Sequence, residues 1–553
     1  LLVGIGVPSR ANSTPITVNE YQIDDQTTHI EVNNSLVSYV FSTAGGTLQS
    51  AYLYFAPWGT APEEIIAGTK TDPRNRRREY TPGTPFPFQL TLGPLQPSDH
   101  YQYKIRPRPD GNALDLEFFH EAEGLKITKH FTIHNDASHT IDLTLTVQNL
   151  SAQELSFTDG YQLTLGANVH SLSETAEARY FFNDQRTPVP VQGGQLQGVG
   201  FVSGYALWLI TNPADRLRPY QRAARLTLPP PQGEVSKTEL GVQSSALTLA
   251  PGQEFSHHFR LYTGRVKFTL LELVGLQYIA DMSWWDQILV PVANFFNWLY
   301  RFTLNYAWAI LLFTILTRVL LFPLTRTQYH SMAKMVHLQP RMQKLQQRYP
   351  NLNQLRAMHP KMSESELKQR AMENRQELSK KMMELYRKEG VNPLGGCLPL
   401  LLQFPILILL WQAITYSAEQ IHLTPGFLWM PDLALADPYY IIVILTVAAM
   451  IVQSKMTPMP SGQQNQVLIW LMPIAMGVFL KDFPAGLWIY YFLSTVAQVG
   501  QQLFINWELQ REARRKAGAA PPAATEQTET EDHGQAVTQT QEAPARDGSR
   551  SQS

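Results

Sequence analysis

Between Thr28 and Gly264, hydrophobic and polar residues alternate in short runs such as 36–42 (LVSYVFS), 114–119 (LDLEFF), 125–133 (LKITKHFTI), 141–147 (IDLTLTV) and 205–210 (YALWLI). A period of two, filled by β-branched and aromatic residues, predicts strands buried on one face. Gly45-Gly46, Asp110-Gly111, Gly193-Gly194 and Pro229–Pro231 punctuate the runs as turns. The spacing suits a large antiparallel β-sandwich. After Leu276 the pattern becomes helical, and apolar runs appear at 306–324, 397–416, 439–454, 467–480 and 485–505. Together they predict an α-helical five-span transmembrane bundle. The run 467–480 is only fourteen residues, about 21 Å as a helix, so it is either re-entrant or spans a locally thinned bilayer. The stretch 288–300, behind Trp284-Trp285, is apolar and aromatic, too short to span, and reads as a helix lying in the outer interface. The expected organisation is an apolar start and linker at 1–19, a β domain at 20–270, and a linker with the interfacial helix at 271–303. A membrane core at 304–506 and a tail at 507–553, basic and then disordered, complete it.

Charge orients the spans. Residues 326–390 carry fourteen Lys/Arg against six Glu, whereas 417–438 carry no Lys or Arg. By the positive-inside bias, the first loop is cytoplasmic and the second lies outside. The β domain is then extracytoplasmic and the tail from Trp507 cytoplasmic. The loop 326–390 reads as a charged helical hairpin with arms 329–349 and 363–388, a Ser363/Glu366 capping box, and a hinge between Pro350 and Pro360.

One residue breaks the apolar pattern. Arg318 is the only charge in 306–324, and a guanidinium there costs about 2.5–3.5 kcal/mol unless water or a partner meets it. It either snorkels to the near interface or faces a wet cavity; Thr314 one turn above and Thr317 beside it favour the cavity. Gln403, Gln412, Thr446, Gln453, Ser494, Thr495, Gln498, Gln501 and Gln502 recur in the other spans. Each alone reads as interhelical glue, but as a set beside Arg318 they suggest a hydrated interior. Tyr490 and Tyr491 are either interface anchors or the rim of that interior.

Composition removes several alternatives. The single cysteine, Cys397, rules out an intrachain disulfide and a cysteine-based zinc site. No GxSxG, HExxH or phosphate loop is present. Two SxxK matches, at Ser331 and Ser365, lack companion motifs and sit on charged helices. His257 and His258 are adjacent on a predicted strand, so they point to opposite faces and cannot share one ion. Neither a catalytic constellation nor a metal or cofactor site emerges.

The runs TRVLLFPLTRTQYHSMAKM at 317–335, KEGVNPLGGCLPLLLQFPI at 388–406 and FPAGLWIYYFLSTV at 483–496 closely resemble the YidC/Oxa/Alb membrane protein insertases, over roughly 270–510. The segments LVSYVFSTAGGTLQSAYL at 36–53 and LYTGRVKF at 261–268 resemble the large periplasmic domain of the Gram-negative YidC type, whose fold is a β-supersandwich. The resemblance implies five core helices around a hydrophilic groove open to cytoplasm and lipid and closed outside. Arg318 falls on the family's groove arginine, and Thr314 and Tyr491 on positions that contact substrate helices. It also implies an N-terminal signal-anchor helix, of which 1–8 (LLVGIGVP) is expected to be a remnant or the tail of a removed signal peptide. The hairpin departs from the family pattern in being longer over 350–376.

The resulting expectation is a non-enzymatic insertase and chaperone of the bacterial inner membrane. Its substrate-binding residues would be Arg318, Thr314, Thr317, Gln403, Ser494, Gln498, Tyr490 and Tyr491. Expected partners are nascent membrane proteins, the Sec translocon, the ribosome, a targeting factor and membrane lipids, without recognition of nucleic-acid sequence. The competing reading is a polytopic transporter that uses Arg318 to bind an anionic solute; inverted repeats would favour it, and none is visible.

Overall fold

The structure, a computed structural model, describes residues 15–56, 62–66, 85–96, 99–167, 177–183, 185–188, 194–228, 233–281, 283–390, 398–456 and 463–518. The apolar start 1–8, the turn signals at Gly193 and Pro229–Pro231, Cys397 and the tail beyond 518 lie outside the described residues.

From Thr17 to Arg265 the chain is built of antiparallel strands. The largest sheet has nine, in the order Gln185–Thr187, Glu177–Phe182, Leu196–Val202, Tyr205–Thr211, Glu254–Arg265, Thr140–Asn149, Leu125–His134, Ala113–Ala122 and Gln102–Pro107. A five-stranded meander runs from Thr17–Gln22 to Glu63–Glu64, and a four-stranded sheet centres on the Arg218–Leu228/Gly233–Gln243 hairpin. Strict alternation sets the register. In Leu125–His134 every second residue is buried, and the ring of Phe131 meets Phe41 of the meander and Phe88, each at 5.0 Å.

Lys129 occupies one of those inward positions, between Ile127 and Phe131. Its Nζ donates there to main-chain carbonyls, Gly45 at 2.5 Å, Phe88 at 2.7 Å and Gly46 at 3.4 Å, while burial pulls its pKa down to about 7. Gly45 and Gly46 turn at φ +71° and +54°, a conformation glycine adopts without steric cost. His257 and His258 point to opposite faces: His257 bonds the Tyr161 hydroxyl at 2.5 Å and His258 bonds Thr144 at 2.9 Å.

Beyond Arg265 the chain is helical: α1 (Phe268–Leu273), α2 (Asp286–Thr303), α3 (Tyr306–Arg348), α4 (Leu352–Met358), α5 (Glu364–Lys388), α6 (Leu398–Tyr416), α7 (Ala418–His422), α8 (Ile441–Met456), α9 (Gln463–Leu480) and α10 (Ala485–Gly518). The described residues from 503 to 518 group separately from those before them. Within α3, Tyr306–His330 is long and apolar enough to cross a membrane, and shorter apolar helices lie at Gln403–Tyr416, Ile441–Met456 and Trp470–Leu480.

Two boundaries differ from the sequence pattern for the same reason. The apolar run ends near Leu324, yet α3 continues to Arg348 with Pro323 and Pro340 inside it; no glycine lies in between to end it. Similarly, α9 begins four residues before Val467, because the polar Gln463–Gln466 turn is helical although not apolar. Hydropathy marks where a helix meets lipid, whereas caps and breakers mark where it ends.

The hairpin α3–α5 closes on a small core of Leu338, Met342 and Tyr386. The Ser363 and Glu366 side chains cap each other's backbone at the start of α5, and a second capping box, Asn351 with Gln354, opens α4. Helix α2 packs on α3 through Phe296 and Phe313, 4.6 Å apart, and through the stacked pair Tyr300–Tyr306. Helices α8 and α9 approach closely at Gly477, where a Cβ would meet the Val447 side chain at 2.6 Å. The first N–H groups of α10 are taken by the Leu435 and Leu433 carbonyls at 2.7 and 2.9 Å, which satisfies donors that a helix start leaves open.

A buried ionic clamp joins the strand domain to the helices. Glu419, in α7, is fully buried and accepts from Lys267 Nζ with both oxygens, at 2.9 and 3.0 Å. Arg265 Nη1 lies 3.5 Å from the same carboxylate and donates to the Phe55 carbonyl at 3.1 Å. Burial alone would raise the Glu419 carboxyl, but Lys267, Arg265 and His139 outweigh it and hold it below the usual glutamate value.

His139 stands beside this clamp, buried, with neither ring nitrogen bonded to protein. Burial pulls its pKa down to about 4; Glu419 and Asp136 oppose this, while Arg265 and Lys267 reinforce it. The imidazole is therefore neutral in both folded and unfolded chains above its ordinary value near 6.5, and the full stability is present there. As pH falls from 6.5 to 4 the unfolded chain takes up the proton first, so His139 removes up to about 3 kcal/mol of stability. His139→Asn, which suits the left-handed backbone at φ +54°, is expected to lose less stability than wild type between pH 7.5 and 4.5. Thermal unfolding at both pH values measures the difference, and parallel losses would remove His139 as the cause.

Candidate functional site

Four helices converge on one polar cluster. Arg318 is only 8% exposed and projects from α3. Its Nε donates to Ser494 Oγ of α10 at 3.0 Å, and its Nη2 donates to Gln403 Oε1 of α6 at 2.8 Å and also to Ser494. Gln403 in turn donates from Nε2 to the Tyr490 hydroxyl at 2.9 Å. The Gln498 amide, oriented so that its oxygen faces the guanidinium, accepts from Nη1 at 2.8 Å and Nη2 at 3.3 Å, and its other end lies against Gln453 of α8. Gln501 Nε2 reaches the Arg318 carbonyl at 3.3 Å.

Helical spacing builds this cluster. Tyr490, Ser494, Gln498 and Gln501 recur at three- and four-residue intervals, so they line one face of α10. Thr314 and Arg318 likewise share a face of α3. Of the residues expected from sequence, Arg318, Gln403, Ser494, Gln498 and Tyr490 are joined by hydrogen bonds. Thr314 and Thr317 adjoin them but bond within their own helix, to the Ile310 carbonyl at 2.7 Å and the Thr314 carbonyl at 2.9 Å. Tyr491 is half-buried, with its ring edge-on to Trp488.

Every partner of the guanidinium among the described residues is neutral, and none is a carboxylate. The charge is thus held in place without being cancelled. Elsewhere on α3 and α10, the buried side-chain oxygens of Gln501 and Gln502 and the Gln328 amide nitrogen bond no protein group. Such groups are costly in a dry interior. Outside this cluster, α3 presents Ile315, Leu316, Val319 and Leu320, each at least half exposed. A polar face turned inward and an apolar one turned outward inverts the plan of a water-soluble protein. Among the described residues, no group of three His, Cys, Asp or Glu side chains is placed to hold a metal.

A family model described as 60Kd inner membrane protein matches residues 298–363 and 351–512. The membrane protein insertase YidC of Geobacter sp. (strain M21) is 29% identical over 497 residues, covering 86% of this chain and 85% of that one. The insertase of the same name from Methylobacillus flagellatus is 35% identical over 283 residues, 51% of this chain and 47% of that one. Over most of its length the chain is similar to YidC membrane protein insertases. A solved structure described as an active YidC insertase with its first transmembrane domain resolved covers 90% of this chain and 94% of its own, at 19% identity and a TM-score of 0.47. The family match spans α3, α6, α8 and α10, and therefore every residue of the Arg318 cluster. The chain itself has an antiparallel strand domain followed by helices, one of which is long and apolar enough to cross a membrane.

Glu419, with Arg265 and Lys267, escaped the sequence reading. The loop 417–438 stands out for its lack of cations, and a lone glutamate in an outer loop reads as solvated. Only the fold brings two cations 152 and 154 residues away in the chain onto it.

Proposed function

We propose that the protein inserts and helps fold integral membrane proteins, using the Arg318 cluster as the inner end of a hydrophilic groove. The observation that carries this reading is a buried cation bonded only to neutral acceptors. A hydrophilic tail cannot cross about 30 Å of hydrocarbon unaided. A wet groove from the cytoplasm to the level of Arg318 shortens the dry distance. The uncancelled guanidinium attracts acidic residues of the tail, and Gln403, Ser494, Gln498 and Tyr490 replace part of its water. Once the tail is across, the substrate's apolar helix leaves sideways into lipid, a strongly favourable transfer. The protein acts as a chaperone rather than an enzyme, as expected of a family whose named members are insertases.

In this reading α3, α6, α8, α9 and α10 are the five spans. The strand domain is periplasmic, α2 lies in the outer interface, and the α3–α5 hairpin and the C-terminus face the cytoplasm. The bonds from Leu433 and Leu435 to the start of α10 and the Glu419 clamp support closure of the outer end. Nascent membrane proteins are the substrates, and the Sec translocon, ribosome, targeting factor and lipids are proposed partners. A transporter of anionic solutes would use the same arginine, but the named relatives do not favour it.

The test places purified protein in sealed liposomes, without nucleotide, and adds a single-span substrate with an acidic N-terminal tail. Protection of the tail from external protease is expected in proportion to protein reconstituted. No protection above empty liposomes would refute unaided insertion.

A further inference from the structure

A cleft at the outer end of the bundle is lined by hydrocarbon and aromatic groups. Its walls are Trp308 and Leu311 of α3, Ile442 and Leu445 of α8, and Ile489 and Phe492 of α10, with residues 427–430 as the roof. Its volume is about 270 Å³, whereas a cavity of about 150 Å³ with similar lining stays dry and takes up benzene. Ile442 and Ile489 are buried at its floor, whereas Trp308 and Leu445 are 51% and 41% exposed at its mouth. It is therefore open to whatever surrounds the helices.

The roof is held firmly. Asn305 Nδ2 donates to the Pro425 and Gly426 carbonyls at 3.4 and 3.2 Å, and Phe427 and Met430 exchange backbone bonds of 2.8 and 3.0 Å. At its tip Leu428 is 75% exposed with φ +54°, a backbone region unfavourable for a leucine. An apolar side chain held outward at such a position suits a hydrocarbon surrounding better than an aqueous one. From the mouth the exposed apolar surface continues along α3 through Leu312, Ile315 and Leu316, and along α8 through Ile444. The cleft is thus continuous with the surface the bilayer covers.

We propose that this cleft seats one acyl chain of a phospholipid from the outer leaflet. The proposal rests on the outward placement of 417–438 given under the proposed function, but not on insertion activity. Leu311 and Arg318 are seven residues apart, on one face of α3 and separated by about 10 Å of helix. A seated chain would therefore complete the dry layer between the polar cluster and the outer surface.

The experiment reconstitutes the full chain in vesicles of phosphatidylethanolamine and phosphatidylglycerol containing a trace of phospholipid with a diazirine on one acyl chain. After illumination, labelled positions are mapped by mass spectrometry, with the outward-facing Leu320 as internal reference. Label is expected on Ile489 and Phe492, and Leu445→Trp, which fills the mouth, should lower it at least fivefold relative to Leu320. Ile442→Phe provides a second filling variant should the first fail to fold. A labelled Leu320 with an unlabelled floor, or floor labelling indifferent to both variants, would overturn the proposal. So would floor labelling by a diazirine-bearing apolar substrate peptide but not by the lipid, which would make the cleft a substrate seat. Loss of insertion activity leaves the readout untouched; an unlabelled Leu320 would instead refute the membrane placement of α3.

Discussion

Arg318→Ala is expected to reduce protease protection of an acidic substrate tail at least tenfold in the liposome assay, whereas Arg318→Lys keeps most of it. Two unit charges about 4 Å apart in a surrounding of effective dielectric 20 attract by about 4 kcal/mol. Even a third of that corresponds to a tenfold change in rate or occupancy. The guanidinium's neutral partners leave this attraction available, because no internal carboxylate competes for it. Lysine supplies the charge but not the planar fork that engages Ser494, Gln403 and Gln498 together, so partial retention is its expected signature. A substrate whose tail carries no acidic residue should be far less sensitive to the alanine. Equal protection by all three proteins would show that the wet interior alone suffices, and that the charge is incidental.

The second large effect concerns the clamp. Glu419→Gln is expected to destabilise the protein by about 3–5 kcal/mol, the usual cost of removing one member of a buried pair. The amide matches the carboxylate in shape, so packing is preserved and the loss reports charge. Lys267 and Arg265 then face each other in a site where Glu419 was fully buried. Adding Lys267→Met to Glu419→Gln should recover part of the loss, because one of the two neighbouring like charges is gone. Thermal unfolding of the four proteins of that cycle measures the coupling. If the single variant unfolds at the wild-type temperature, the clamp contributes no net stability.

Much of the architecture was legible because periodicity is physical. Strict alternation in 125–133 and 141–147 could only bury one face, and those segments pair as neighbours in the nine-stranded sheet. Arg318 was legible because a charge in an apolar run demands a reason, and its partners were polar residues repeating at helical intervals. Three features escaped for reasons equally physical. Lys129 sits at an inward position that alternation assigns to an apolar side chain, and the carbonyls that accept it come from Gly45, Gly46 and Phe88, more than forty residues away in the chain. Glu419 is silent in sequence because its meaning lies in Arg265 and Lys267. The apolar run 306–324 and the helical arm 329–349 read as separate segments, because lipid-facing character stops before the hydrogen-bond ladder of α3 does.

That uninterrupted α3 has a mechanical consequence. A helix of 43 residues that carries Arg318 near one end and the hairpin core residues Leu338 and Met342 near the other fixes the rotational phase between them. Each residue advances the phase by about 100°. A single alanine inserted near Thr327 would therefore turn the hairpin by about 100° relative to the Arg318 cluster, whereas eleven inserted residues would nearly restore the phase and only lengthen the arm. The direction in which the cytoplasmic hairpin points is thus geared to the polar cluster by the pitch of a single helix, and turning one turns the other.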